Sequence, residues 1–399
     1  MPPIRFCMVT TAYPPAGAGR GAVQVERLAH LLAGRGHDVT VVHADDGGPA
    51  RPDGPIKVIP IKSAAGKLSP LSTHLSGRPL LSRRQLEKAL KGPYDVIHFH
   101  DPSLVGGPGV FGMGDASLRL YTAHDQWLLP PKQGQWPPQL WRQGNFLERS
   151  MTALDAVIAP SRASVEAHRR FADLVPIEHI PHFVPPAPVS NGAGRSRPYF
   201  LFVGRHEPVK GLKSLIAAFR RRRSEDLVIA GTGTETNALE AAAADLPHVH
   251  FLGWQDRDAL NALYRGALAV VVPTLGHESF GLVPVEAFAR GTPAIVRGVG
   301  ALAELIEESG AGFTYGSDAE LQGALDLIAR DPVAREALGE NGREAHLARW
   351  TPEVHFRRYL ELIEQLAAWR GADALAVAAA EATGDARQGR LLEMELLRA

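Results

Sequence analysis

Short apolar runs alternate with amphipathic stretches along most of this chain. Runs rich in β-branched and aromatic residues predict strands, and the stretches between them predict helices. In the first half of the sequence the predicted strands are 5–10, 38–42, 96–100, 118–123 and 156–159. In the second half they are 200–204, 227–230, 249–252, 268–272 and 294–296. Strands that alternate with helices in this way are typical of doubly wound α/β domains with parallel sheets.

A helix is predicted between the first two strands. Val25, Leu28, Ala29 and Leu32 recur at helical spacing, and the glycines at 34 and 36 end the pattern. After residue 350 another amphipathic helix is predicted over 351–370, packing back toward the N-terminal domain. The Ala-rich stretch 371–399 shows little pattern and is predicted to be a loosely held tail.

The segment 186–197 is predicted to be a linker, because its Pro, Gly and small polar residues continue neither a helical nor a strand period. At 399 residues the chain exceeds what one hydrophobic core usually organises. We therefore expect two Rossmann-like domains, 1–185 and 198–350, with their parallel sheets facing a cleft.

Composition indicates a soluble, cytoplasmic protein. No apolar run approaches the roughly 18–20 residues that span a bilayer, and the N-terminus lacks a signal-peptide pattern. The lone Cys7 excludes an intrachain disulfide, which fits a reducing compartment. The net charge is zero, and no nucleic-acid partner is expected. Residues 1–195 nevertheless carry 21 Lys and Arg against 15 Asp and Glu, an excess that would allow weak peripheral membrane contact.

Two basic side chains follow the predicted strand 200–204, namely Arg205 and Lys210. Ligands of open parallel sheets bind beyond the carboxyl ends of the strands, so both side chains are expected at a binding crevice. Arg offers forked hydrogen bonds and Lys a compact positive charge. This combination predicts a site for a diphosphate, whereas either residue alone would more often be a surface cation.

Two carboxylates follow the predicted strand 268–272, namely Glu278 and Glu286. Gly281 is expected near the start of a helix, where backbone amides point toward an anion. Glu286 would lie about one turn inside that helix. An ionised carboxylate only accepts hydrogen bonds, so this position suits vicinal hydroxyl groups such as those of a ribose. The plainer alternative is a capping Glu278 and a solvated Glu286.

These segments resemble glycosyltransferase family 4, a retaining family with the GT-B fold. The resemblance rests on Gly204-Arg205 with Lys210-Gly211, on Glu278 with Glu286, and on the following Gly-Thr-Pro-Ala-Ile-Val at 291–296. In the first half, the glycine-rich loop 14–22, the segment 95–101 and the segment 122–127 resemble corresponding parts of the family. The likeness covers nearly all of residues 4–365.

The resemblance implies a role for each matched residue. Arg205 and Lys210 would hold the donor pyrophosphate, and Glu286 the ribose hydroxyls. Glu278 would meet the donor sugar. Further contacts with the substrate are implied for Ser279, Phe280, Gly281, Leu282, Gly21, His124 and Asp125.

The implied reaction moves a sugar from a UDP- or GDP-sugar to an acceptor, with retention of anomeric configuration and without a metal or another cofactor. The acceptor would be a small molecule, a glycan or a lipid-linked compound. The leaving phosphate oxygen would take the acceptor proton while His124 orients the sugar. Arg205 and Lys210 would stabilise the charge on the departing diphosphate.

Other functions compete with this interpretation. His98, His100 and His124, with Asp101 and Asp125, could form the metal site of a hydrolase, since alternate residues of a strand share a face. A GT-B nucleotide-sugar epimerase or a protein that only binds would keep the fold and change the reaction. The pair Asp256 and Asp258 matches an Asp-any-Asp metal motif, but a helix N-cap is the more ordinary role there.

Overall fold

Neighbouring strands run parallel throughout two β-sheets. This computed structural model describes residues 2–14, 20–45, 54–62, 68–80, 82–125, 127–129, 140–142, 145–186 and 194–396. Most of the glycine-rich loop, residues 15–19, and the middle of the predicted linker, residues 187–193, lie outside the described residues. The strands are β1 (Arg5–Thr10), β2 (Asp38–Ala44), β3 (Lys57–Ile61), β4 (Tyr94–Asp101), β5 (Ala116–Thr122), β6 (Ala156–Ala159), β7 (Ile177–His179), β8 (Tyr199–Val203), β9 (Asp226–Ala230), β10 (Val249–Gly253), β11 (Ala269–Val272), β12 (Ala294–Arg297) and β13 (Gly312–Tyr315).

Helices connect most of these strands. They are α1 (Arg20–Gly34), α2 (Leu68–Ser76), α3 (Arg83–Leu90), α4 (Phe146–Met151), α5 (Arg162–His168), α6 (Leu212–Phe219), α7 (Thr236–Ala242), α8 (Arg257–Gly266), α9 (Leu282–Phe288), α10 (Ala301–Ser309), α11 (Asp318–Arg330), α12 (Pro332–Arg349), α13 (Pro352–Arg370) and α14 (Asp373–Leu396). Short 3₁₀ helices occur at Gly107–Val110, Leu140–Arg142, Arg169–Phe171 and Pro208–Lys210.

The chain divides into two compact units. Unit 1 comprises Met1–Pro181 and Pro352–Ala399, and unit 2 comprises His182–Thr351. The sheet of unit 1 has the strand order β3-β2-β1-β4-β5-β6-β7, and that of unit 2 the order β10-β9-β8-β11-β12-β13. In unit 1 the chain forms β1, β2 and β3 toward one edge of the sheet and then crosses to β4 on the other side of β1. In unit 2 it forms β8, β9 and β10 toward one edge and then crosses to β11 on the other side of β8. The predicted doubly wound α/β class is confirmed.

The core of unit 2 follows the two-residue period of its strands. Phe200 and Phe202 on β8 pack in one hydrophobic cluster with α6 and α11, whereas Tyr199 and Leu201 pack in another with α9 and α10. Each fully buried aromatic or aliphatic side chain of this kind contributes about 1.5–3 kcal/mol relative to exposure. Helices therefore pack on both faces of the sheet, and the loops at the strand ends are available for ligand binding.

The ten predicted strands are all present, with ends that differ by at most two residues. Three strands escaped prediction, namely β3, β7 and β13, and each lies at the edge of a sheet. Edge strands are short and pair on one side only, so their apolar pattern is weak. Pro60 inside β3 further weakens the pattern, because proline is tolerated in a strand mainly at an edge.

The C-terminal stretch departs from the prediction of a loosely held tail. Residues 373–396 form α14, which packs along α13. Leu375, Ala378, Ala379 and Ala382 are buried. Small alanine side chains let two helices approach closely. The sequence did not predict this packing, because the stretch has few large apolar residues at helical spacing.

Helix α13 returns to unit 1 and brings two polar contacts to its core. Tyr359 Oη lies 2.9 Å from His98 Nδ1 on β4. His355 Nδ1 lies 2.7 Å from the carbonyl oxygen of Pro181, to which it donates. Burial, more than any other cause, lowers the pKa of His355 to about 4.

This lowered pKa predicts a loss of stability in acid. An unfolded histidine titrates near pH 6.5, so the unfolded chain binds the extra proton between about pH 6.5 and 4. The contribution of His355 is complete above pH 6.5 and is lost as the pH falls. We expect His355→Gln, whose amide does not titrate, to reduce the difference in unfolding free energy between pH 7 and pH 4.5 by ~2 kcal/mol. Urea denaturation at both pH values measures this, and an unchanged difference would contradict it.

Candidate active site

The loops that follow β8 and β11 meet at the crossing point of the unit 2 sheet. These two strands are neighbours in the sheet, with Phe200 paired to Ala269 and Leu201 to Val270. In a doubly wound sheet the crevice for ligands opens at such a point, outside the carboxyl ends of the strands. The structure therefore brings together the two sequence segments that carry the candidate residues.

Backbone contacts lock the two loops to each other. Leu275 N donates to the carbonyl oxygen of Val209 over 2.8 Å. Gly211 ends the 3₁₀ turn with a φ of 68° and begins α6. A Cβ built on Gly211 would lie 2.1 Å from the carbonyl oxygen of Pro273. Only a residue without a side chain allows this approach, so Gly211 sets the distance between the two loops.

The ammonium of Lys210 is paired with Glu278. Lys210 Nζ lies 2.5 Å from Glu278 Oε1, and the two side chains are only 15% and 17% exposed. Thr274 Oγ1 donates to the same oxygen over 3.2 Å. A pair this far from water is held in one geometry, because separating it would leave an uncompensated charge. Glu278 is therefore an anchor for Lys210.

Arg205 is placed differently from Lys210. Its side chain is 69% exposed, and its guanidinium makes an ion pair with Glu207 at 2.6 Å. Exposed ion pairs are weak, typically below about 1 kcal/mol. An incoming anion with two oxygens could therefore displace Glu207 at little cost, whereas Lys210 would stay in place.

Glu286 lies inside α9 and is not a solvated helix residue. The buried Tyr264 donates its hydroxyl to Glu286 Oε2 over 3.0 Å. Arg290 lies over the ring of Tyr264, with its guanidinium carbon 5.2 Å from the ring centroid. Tyr264 thereby fixes the orientation of the carboxylate.

The residues between the two carboxylates contribute mainly backbone to this region. The side chains of Phe280 and Leu282 belong to the hydrophobic core of unit 2. Any ligand contact of these two residues would therefore be made by main-chain atoms. Gly281 directly precedes α9, as the sequence predicts.

Unit 1 carries its own candidate residues at the carboxyl ends of β4 and β5. His100 Nδ1 and His124 Nε2 lie 2.9 Å apart. A Cβ built on Gly21 would lie 3.8 Å from His124 Cβ, so the start of α1 runs beside this histidine. Asp125 follows and accepts a hydrogen bond from Trp127 N over 3.0 Å. Gly21, His124 and Asp125 are thus neighbours.

His124 is neutral at physiological pH. Burial lowers its pKa to about 3, and repulsion from His355 acts in the same direction. A neutral imidazole donates from one ring nitrogen and accepts at the other. His124 is therefore suited to hydrogen bonding with a hydroxyl group and not to serving as a cation.

Two family models divide the chain between them. Residues 21–187 match the model "Glycosyltransferase Family 4" and residues 187–345 match the model "Glycosyl transferases group 1". The chain belongs to glycosyltransferase family 4. It is therefore a glycosyltransferase, and the family resemblance inferred from the sequence is confirmed.

Similar proteins agree with this assignment. The glycosyltransferase is 28% identical to a phosphatidyl-myo-inositol mannosyltransferase of Mycobacterium leprae over 82% of this chain and 88% of the relative. It superimposes on sucrose-phosphate synthase from Thermosynechococcus elongatus with a TM-score of 0.72 and 22% identity, covering 92% and 99% of the two chains. The Anabaena protein HepE in complex with UDP-glucose gives a TM-score of 0.69 at 18% identity, covering 91% and 100%. The predicted GT-B fold is confirmed.

The histidines considered for a metal site have other contacts. His98 Nε2 lies 2.8 Å from Thr122 Oγ1, and its Nδ1 contacts Tyr359. Within the described ranges, no three His, Cys, Asp or Glu side chains are arranged to hold a metal ion. Asp256 caps α8 by accepting a hydrogen bond from Ala259 N, which confirms the N-cap prediction.

Two partners of the site residues were missed from the sequence. Thr274 lies in the same segment as Glu278, so its hydroxyl could have been considered. Tyr264 lies 22 positions before Glu286 and on another helix, and no sequence spacing indicates their contact.

None of the helices in the described residues has both the length and the hydrophobicity that a bilayer span requires.

The close approach of Gly211 to Pro273 yields a prediction on stability. Gly211 and Gly253 have nearly equal φ angles, 68° and 67°, but a Cβ on Gly253 would meet no atom within 4 Å. Gly253→Ala should cost about 1–2 kcal/mol, the strain of a left-handed backbone. Gly211→Ala should cost at least ~2 kcal/mol more, because the loops must also move apart. Chemical denaturation measures both, and equal losses would contradict the proposed locking role.

Proposed function

We propose that this glycosyltransferase moves a sugar from a UDP- or GDP-sugar to an acceptor with retention of anomeric configuration and without a catalytic metal. The observation that carries the proposal is the ion pair of Lys210 with Glu278, together with the exposed Arg205 in the same segment after β8, at the crossing point of the unit 2 sheet. Two cations at this position suit a diphosphate better than any uncharged ligand.

The two cations have different roles in the proposed reaction. Cleavage of the bond between the anomeric carbon and the phosphate oxygen leaves negative charge on the departing diphosphate. Lys210, held by Glu278, meets this charge without having to reorganise, which is the condition for electrostatic catalysis. Arg205 exchanges Glu207 for phosphate oxygens and adds forked hydrogen bonds.

Glu286 is assigned to the ribose hydroxyls of the donor. The hydrogen bond from Tyr264 orients its carboxylate before the ligand arrives. The backbone of Ser279, Phe280, Gly281 and Leu282 is assigned to the donor, and Glu278 is assigned to its sugar.

His124 is assigned to a hydroxyl of the transferred sugar, together with Gly21, and the neighbouring Asp125 is assigned to substrate binding. Its neutral state supports this role. In the proposed front-face reaction the acceptor oxygen bonds to the anomeric carbon on the side from which the phosphate leaves. The acceptor proton passes to the leaving phosphate oxygen, so no separate protein base is needed.

The two units are assigned to different parts of the substrates. Unit 2 is proposed to bind the nucleoside diphosphate of the donor, and unit 1 the acceptor. A relative named phosphatidyl-myo-inositol mannosyltransferase supports a lipid-linked acceptor, and a small molecule or glycan is the alternative. A cytoplasmic location fits a donor of this kind, and the basic N-terminal region is proposed to make at most weak contact with a membrane.

Nucleotide binding and product configuration test the proposal. We expect UDP or GDP to raise the melting temperature, because a ligand of the native state stabilises it by mass action. With a reacting acceptor, NMR coupling constants should show the same anomeric configuration in donor and product, and a chelator should leave the rate unchanged. Failure of every nucleoside diphosphate to bind, or an inverted product, would overturn the proposal. An isomerised nucleotide sugar would indicate an epimerase instead.

Removal of Arg205 tests its catalytic role. Arg205→Ala should lower kcat by about 10²–10³-fold, since loss of one transition-state donor costs ~3–4 kcal/mol. Arg343→Ala is the matched control, because Arg343 is also exposed and paired with a nearby glutamate, Glu340, on α12. The control should keep its activity. Near-normal kcat in Arg205→Ala would remove this residue from the mechanism.

A further inference from the structure

Two aspartates lie at neighbouring strand ends in unit 1, and the donor chemistry assigns no function to their joint charge. Asp101 is the last residue of β4, and Asp125 follows the end of β5. These strands pair in parallel, with Phe99 opposite Tyr121. Their carboxyl ends therefore place both carboxylates at the same edge of the sheet, where ligands of such sheets bind.

Each aspartate is held by its own loop. Ser103 N donates to Asp101 Oδ1 over 3.2 Å, and Trp127 N donates to Asp125 Oδ1 over 3.0 Å. Among the described residues, neither aspartate forms an ion pair. The two carboxylates are thus fixed in orientation, while their charge is not neutralised by a nearby Lys or Arg of the described chain.

A buried hydroxyl points to a ligand at the same place. Tyr121 is fully buried, and its Oη has no hydrogen-bond partner of normal geometry among the described residues. Its pKa is raised by burial and then by the charges of Asp125 and Asp101, while a weaker interaction with Trp127 lowers it. Tyr121 is paired with Phe99, and Asp101 lies two positions after Phe99 on β4, so the alternation of side chains along a strand places Tyr121 and Asp101 on the same face of the sheet. An unsatisfied buried hydroxyl costs about 1–3 kcal/mol, and such groups in native proteins call for an explanation such as a bound partner.

The carboxylates also repel each other. Although Asp125 reaches solvent, its pKa is raised to about 6, first because protein replaces much of the surrounding water and second because of the Asp101 charge. Burial raises the pKa of Asp101 as well. A hydroxyl group would satisfy their lone pairs but leave the repulsion, whereas one cation between them would remove it.

We propose that Asp101, Asp125 and Tyr121 form an acceptor subsite for a protonated amino group, so that the acceptor is an amine-bearing polyhydroxy compound of the amino-sugar or aminocyclitol class. The inference rests on the proposed function, since it names the acceptor class of the same enzyme. The ammonium is bound and does not react, because a protonated nitrogen has no lone pair. The attacking atom remains a hydroxyl oxygen of the same acceptor.

Matched sugars test the subsite without knowledge of the true acceptor. Glucosamine, N-acetylglucosamine and glucose differ at one carbon, and only glucosamine carries an ammonium there. We expect glucosamine to bind at least about tenfold more tightly than the other two, measured by ligand-observed NMR titration with and without saturating UDP or GDP. Equal affinity of the three sugars, or no detectable binding of glucosamine under either condition, would overturn the inference.

Variants then locate the preference. Asp101→Asn and Asp125→Asn keep the size of the side chain and remove its charge, so each should reduce the preference for glucosamine to near unity. Tyr121→Phe should weaken glucosamine binding while leaving the folded circular-dichroism spectrum unchanged. Asp115→Asn is the control, because Asp115 is an exposed carboxylate just before the amino end of β5. A preference that survives in both charge variants, or that disappears in the control, would contradict the assignment.

The proposed function and this inference can fail separately. The nucleotide melting-temperature shift depends on unit 2 residues such as Arg205, whereas the glucosamine preference depends on unit 1 residues. Nucleotide binding with no amine preference overturns only the acceptor subsite. An absence of nucleotide binding overturns the transferase mechanism, whatever the sugars do.

Discussion

The ion pair between Lys210 and Glu278 is the interaction on which the proposed donor site depends. It joins the loop after β8 to the loop after β11, and the backbone contact of Gly211 with Pro273 holds the two loops at that distance. Because both side chains are largely withdrawn from water, neither charge tolerates loss of the other. Glu278 therefore holds the positive charge of Lys210 at a position that is largely withdrawn from water.

Both units use the same topological device in different ways. In each sheet the chain crosses from one side to the other, and the loops around that crossing carry the polar side chains. Unit 2 presents Lys210 and Arg205 there. Unit 1 presents neutral His124 with Asp101 and Asp125. Different side chains at equivalent places fit two different ligands, an anionic diphosphate for unit 2 and, as inferred above, a cationic acceptor group for unit 1.

Polar groups in the interior of unit 1 are tied to its second chain segment. Tyr359 on α13 meets His98, and His355 meets the carbonyl of Pro181. Residues far apart in sequence thus complete one core, and α14 covers α13 in turn. His98 and His355 are buried in this interior, and burial lowers the pKa of His355 to about 4.

The sequence by itself determined the doubly wound class, the ten central strands and the segments that carry Arg205, Lys210, Glu278 and Glu286, because strand period and strand-end position are local properties. Only the tertiary structure decided which charges pair. Lys210 forms an ion pair with Glu278, and Arg205 forms one with Glu207. The tertiary structure likewise decided three other features: edge strand β3, the close packing of α14 and the contact of Tyr264 with Glu286. Each of them depends on residues distant along the chain, and the periodicity of a sequence does not indicate such contacts.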